Sequence, residues 1–96
     1  AARGVLTAAE LADQPAGRLV QVAGLAVVRQ APPTAKGHLF ITLEDETGLA
    51  NLIIRPDLYQ REEAALHNSS VLLVAGLVQR EGKAVSLLAR QVLQLP

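Results

Sequence analysis

The stretch from Thr34 to Ile54, TAKGHLFITLEDETGLANLII, limits the folds open to this chain more than any other. It holds two apolar runs, His38 to Leu43 and Leu49 to Ile54, separated by Glu44-Asp45-Glu46-Thr47-Gly48. Each run has the length of one strand, and so short a connection ending in glycine predicts a β-hairpin. Side chains alternate across a strand, which assigns Leu39, Ile41 and Leu43 to a core and His38, Phe40 and Thr42 to the opposite face. On the second strand Ala50, Leu52 and Ile54 face the core, while Leu49, Asn51, Ile53 and Arg55 face out. A surface that met only water would have little use for an aromatic ring. With an imidazole, a hydroxyl, an amide and a guanidinium beside that ring, the outward face reads as a binding platform.

The flanking segments extend the sheet. Leu19 to Gln30 is a long Val-rich strand whose central Gly24 predicts a bulge or a sharp coil, and Ala31-Pro32-Pro33 ends it, because proline cannot donate to a ladder. Pro56 and Asp57 open a helix to about Leu66, with Asn68 as its cap. Ser70 to Gln79 is a second Val/Leu strand with Gly76 placed like Gly24. Arg80-Glu81-Gly82-Lys83 makes a charged turn, and Ala84 to Leu93 is the last strand. In front, Thr7-Ala8-Ala9-Glu10 fits a capping box, followed by a short helix to about Asp13.

The order strand, strand, strand, helix, strand, strand describes an OB-fold, a five-stranded Greek-key β-barrel with a helix between strands three and four. An SH3-like barrel is the alternative, but it has no need of that helix. Residues 1–18 are taken as a lead-in with a short helix, and 19–96 as the barrel. Ninety-six residues allow one small core. With no Met even at the first position, the chain reads as a domain excised from a longer polypeptide.

The segment GRLVQVAGLAVVRQAPPTAKGHLFITLEDETGLANLIIRPDLY resembles the OB domain near the C-terminal end of bacterial C-family DNA polymerases. These are the alpha subunit of DNA polymerase III and its error-prone paralogue. Val28-Arg29-Gln30, Thr34-Ala35-Lys36-Gly37, Phe40, the run Thr42 to Gly48, and Asn51 carry the likeness, with Gln79-Arg80-Glu81-Gly82 and Leu88-Ala89-Arg90 behind them. The Arg-Gln-x-Pro-x-Thr-Ala-Lys-Gly run resembles the error-prone branch especially. Ala31 and Pro33 depart from the pattern, standing where a second basic and a small residue are expected, and Arg55 replaces a common aromatic. The resemblance implies a module that positions single-stranded template DNA for a bacterial, cytoplasmic polymerase whose catalytic domains lie elsewhere. A looser likeness, through Phe-x-x-Leu-x-Asp-x-x-Gly, runs to the anticodon-binding domains of class II aminoacyl-tRNA synthetases. A protein-interaction role, docking clamp or accessory replication proteins, is a third reading.

The candidate nucleic-acid-binding residues are accordingly Arg29, Lys36, His38, Phe40, Thr42, Asn51, Ile53, Arg55, Arg80 and Lys83. A lone Phe in a strand is more often core, but Leu39 and Ile41 already supply the core parity, which frees Phe40 to stack on a base. Asn51 either bonds a base edge or caps its own hairpin. The basic residues either meet phosphate or are ordinary solvated charges. Nine basic and nine acidic residues cancel, so attraction of nucleic acid must come from local charge.

Consecutive carboxylates on a hairpin turn diverge, so Glu44, Asp45 and Glu46 are not expected to hold a metal, and Asp45 is expected to accept turn amides. With no Cys, no Ser-His-Asp set and no glycine-rich phosphate loop, neither catalysis nor a cofactor is expected of this domain. No apolar run is long enough to cross a bilayer, and no membrane partner is expected.

Overall fold

Leu25 pairs with Glu44 on one side and with Val71 on the other, and at that residue one strand passes from one half of the sheet to the other. The computed structural model describes residues 4–93. Along the chain they form β1 (Val5–Leu6), α1 (Ala8–Ala12), β2 (Leu19–Gln30), a 3₁₀ turn (Pro33–Ala35), β3 (Leu39–Asp45), β4 (Gly48–Ile54), α2 (Pro56–Arg61), α3 (Glu63–Asn68), β5 (Val71–Glu81) and β6 (Ala84–Leu93). The sheet runs β1-β2-β3-β4-β6-β5, and β2 also pairs with β5, which closes β2 to β6 into a five-stranded barrel. The short β1 lies parallel to β2 as an extra strand.

Such closure requires β2 to coil tightly, and Gly24 permits it. A Cβ there would stand 2.8 Å from the Glu44 carbonyl oxygen. A Cβ at Gly76 would overlap the Leu88 carbonyl oxygen. Both glycines allow a close backbone approach at a barrel corner. Two bulges add curvature: Val27 is the extra residue opposite β3, and Arg90 the extra residue opposite β5.

The expected alternation holds. Leu39, Ile41, Leu43, Leu52 and Ile54 are buried, and they pack with Val22, Val74, Val78 and Leu87. Each buried Leu or Ile contributes about 1.5–3 kcal/mol of transfer free energy. The predicted capping box forms, with Thr7 N–H donating to Glu10 Oε1 and Glu10 N–H to Thr7 Oγ1. Leu11 of α1 joins the core at the hairpin end, and Leu58 and Leu66 join it from α2 and α3.

The structure differs from the sequence reading in several places. The lead-in holds the unexpected strand β1, and β5 runs through the first half of the expected charged turn to Glu81. The hairpin strands extend into the expected turn, leaving only Glu46 and Thr47 between Asp45 and its partner Gly48. The helix after β4 is two helices, broken at Glu62. A continuous helix would set Leu58 and Leu66 roughly 80° apart around its axis, and the break lets both reach the core. The second helix is capped by Ser69, one residue beyond Asn68.

Candidate functional site

Phe40 is 37% exposed, between Leu39 and Ile41 at 1% each. The strand pairing carries its row across the barrel: Gln30 of β2 pairs with Phe40, Phe40 with Ile53 of β4, and Ile53 with Leu88 of β6. A second row sets Val28, Thr42, Asn51 and Ser86 side by side. The hairpin half of this face follows from alternation alone. The β6 half depends on the parallel pairing of β4 with β6, which joins strands separated by two helices and β5, so Ser86 and Leu88 were missed. The alternation within Ala84–Leu93 is the one signal that could have raised them.

Two contacts order the polar groups. Thr42 Oγ1 donates to Asn51 Oδ1 at 3.3 Å, so the amide nitrogen of Asn51 keeps its two donors for a ligand. His38 Nδ1 donates to the Ala35 carbonyl at 2.7 Å. That carbonyl can only accept, so Nδ1 carries the proton and the Nε2 edge is left open. The His38 ring lies nearly parallel to Phe40, at 15° between planes and 6.4 Å between centroids.

Lys36 sits in the loop before β3 with φ 55, in the left-handed region seldom taken by residues other than glycine. The loop lies against the start of α2, where Pro56 Cγ would be 3.3 Å from a Cβ at position 37. Arg55 follows β4 and is exposed, as are Lys36 and, in the β5–β6 turn, Lys83.

The remaining two basic candidates are engaged by backbone. Arg29 donates from Nε to the Leu66 carbonyl at 2.7 Å and from a terminal nitrogen to the Ser69 carbonyl at 2.5 Å. Arg80 donates to the carbonyls of Ala12 and Gln14 at 2.8 and 3.0 Å. Each guanidinium serves a helix C-terminus, where carbonyls lack partners and a positive charge is favoured.

The acidic turn serves the fold as well. Asp45 Oδ1 accepts from the Thr47 amide, the Thr47 hydroxyl and the Gly48 amide, and Oδ2 accepts from the Ala8 amide at 2.7 Å. Thr47 Oγ1 in turn accepts from the Ala9 amide. Hydrogen bonding, with the Thr47 hydroxyl the largest influence, holds the Asp45 carboxyl below its ordinary range.

The chain matches the family described as OB-fold nucleic acid binding domain over residues 16–95. It is 46% identical over 93 residues to error-prone DNA polymerase 3 of Agrobacterium fabrum (strain C58), covering 97% of this chain and 9% of that protein. It therefore spans only about a tenth of the length of such relatives. Among solved structures, asparaginyl-tRNA synthetase from Pyrococcus horikoshii complexed with asparaginyl-adenylate has a similar fold, with a TM-score of 0.75 at 15% identity over 91% of this chain and 21% of that one. The OBody AM1L10 bound to hen egg-white lysozyme has a TM-score of 0.75 at 18% identity, covering 99% of this chain and 96% of that one.

Proposed function

The chain belongs to the OB-fold nucleic acid binding domain family, and on that premise we propose that it is the module with which a bacterial error-prone DNA polymerase holds single-stranded template DNA beside its active site. The observation that carries this reading is the exposed Phe40, which lies with its His38 neighbour on the face that also presents the amide of Asn51. One base stacked on such a ring contributes about 1–3 kcal/mol, and the Asn51 donors suit an acceptor on a base edge. The 46% identity to an error-prone polymerase supports the parent, whose other domains are the first partners of this one.

Three exposed cations, Lys36, Arg55 and Lys83, border this face and suit phosphate oxygens. Three contacts at about −0.7 each give a log–log salt slope of roughly −2 for the face alone. Titration of a labelled oligothymidylate at several salt concentrations tests the proposal. Saturable, salt-sensitive binding is expected, and no binding even at low salt would overturn it.

One observation favours an additional protein contact, with the parent's other domains or with clamp or accessory proteins. Leu25 and Val71 are cross-strand partners on β2 and β5, 45% and 46% exposed. Such a surface suits a protein neighbour better than water.

A further inference from the structure

The binding face does not end at β6. A groove continues from it between α2 and the bulged part of β6, lined by Arg55, Arg61 and Arg90 with Leu58, Leu88 and the carboxylate of Asp57. Leu88 belongs both to this groove and to the row that contains Phe40 and Ile53. Two strand spacings, roughly 10 Å, therefore separate Phe40 from the groove mouth. The pairing of β3 with β4 ends at Leu39 and Ile54, and its extension by one residue sets His38 opposite Arg55.

Unlike Arg29 and Arg80, whose donors are occupied by helix carbonyls, Arg55, Arg61 and Arg90 donate to no group among the described residues. Three guanidinium groups, against Asp57 in the groove and Glu62 in the depression that adjoins it at Arg61 and Arg90, leave a local positive excess on a chain whose net charge is zero. The β6 bulge bears on the arrangement directly. Arg90 is the extra residue between Ala89 and Gln91, and its neighbour Ala89 is buried, while Arg90 is exposed at the groove wall.

We propose that this groove carries the phosphodiester backbone of the strand onward from the Phe40 face, with Arg61 and Arg90 as two phosphate contacts beyond those of the face itself. This inference rests on the single-strand-binding reading above. A guanidinium fork matches a phosphate bidentately. Contacts of this kind fix the path of the strand without reading its sequence.

The experiment is a salt titration of oligothymidylate on four forms of the domain: unaltered, Arg61→Gln/Arg90→Gln, Arg61→Lys/Arg90→Lys, and Arg18→Gln. Arg18 is an exposed arginine outside the groove and the face. Loss of two contacts should make the log–log slope shallower by about 1.4. The lysine pair should keep most of the slope, and Arg18→Gln should keep all of it. A parallel titration of Phe40→Ala separates the two readings. Strong loss in Phe40→Ala with an unchanged slope in Arg61→Gln/Arg90→Gln overturns the groove and leaves the face standing. A shallower slope with Phe40→Ala unaffected keeps the groove and removes the face. A slope shallower by about 0.7 in Arg18→Gln, the same change per charge removed, means diffuse charge attraction and overturns the groove, and no binding by the unaltered domain overturns both.

Discussion

Leu39 and Phe40 are neighbours in the chain with opposite surroundings, the first 1% exposed in the barrel core and the second 37% exposed on its outer face. Substitution should therefore separate folding from binding. Leu39→Ala opens a cavity and should cost about 2–5 kcal/mol of stability. Phe40→Ala should leave the melting temperature nearly unchanged and weaken single-stranded DNA binding by about 1–3 kcal/mol. The same contrast applies to Leu52, 1% exposed, and its neighbour Asn51 on β4. Thermal melts and DNA titrations of the four alanine variants check this. A Phe40→Ala variant that unfolds would argue that the ring's main role is packing.

Arg29 and Arg55 look alike in the sequence and have different surroundings in the fold. Arg29 bonds the carbonyls of Leu66 and Ser69, whereas Arg55 stands exposed between β4 and α2. Hydrogen bonds from a charged donor to backbone contribute about 1.5–3 kcal/mol. Arg29→Ala should lower stability by about that much while leaving the salt slope of DNA binding intact. Arg55→Ala should do the reverse, making the slope shallower by about 0.7. Urea unfolding and salt titration of both variants measure the two effects. A stable Arg29→Ala domain with a shallower slope would return that side chain to the DNA path.

Asp45 makes the domain acid-sensitive. Its folded carboxyl titrates below the ordinary value because the Thr47 hydroxyl and the amides of Ala8, Thr47 and Gly48 bond the anion. A depressed folded value means that the stabilisation is present above the unfolded value of about 3.9 and is lost as pH falls through the folded one. Glu10 shares this direction, chiefly through the Thr7 amide. Melting temperature should fall between about pH 5 and pH 2, and Asp45→Asn should flatten part of that fall while lowering stability at neutral pH. An unchanged acid limb in Asp45→Asn would show that other carboxyls carry it.

Local chemistry was legible where it decides structure by itself. Leu19–Gln30 and Ala84–Leu93 form strands with the limits read from their apolar runs, because prolines, glycine and charge end them. The parity of the hairpin was legible for the same reason, since alternation has a period of two and admits only two registers. Contacts between distant segments left no comparable mark. Arg29 reaches a carbonyl 37 positions away and Arg80 one 68 positions away, and no local pattern distinguishes them from Lys36 or Arg55. The parallel pairing of β4 with β6, which adds Leu88 to the Phe40 row, is equally non-local. The break at Glu62 follows from the demand of two leucines for one core, which helix propensity does not encode.

The turn Gly82-Lys83 joins β5 to β6 in two residues, with Gly82 at φ 62 in the left-handed region and open space around it. Nothing in the barrel's closure depends on that tip, because the strands below it are already paired from Glu81 and Ala84 inward. Lengthening a flexible loop costs only about 0.6 kcal/mol per doubling. The tip is thus a place where evolution, or an engineer, can graft a longer finger and change what the surface grips while the strands beneath keep their register.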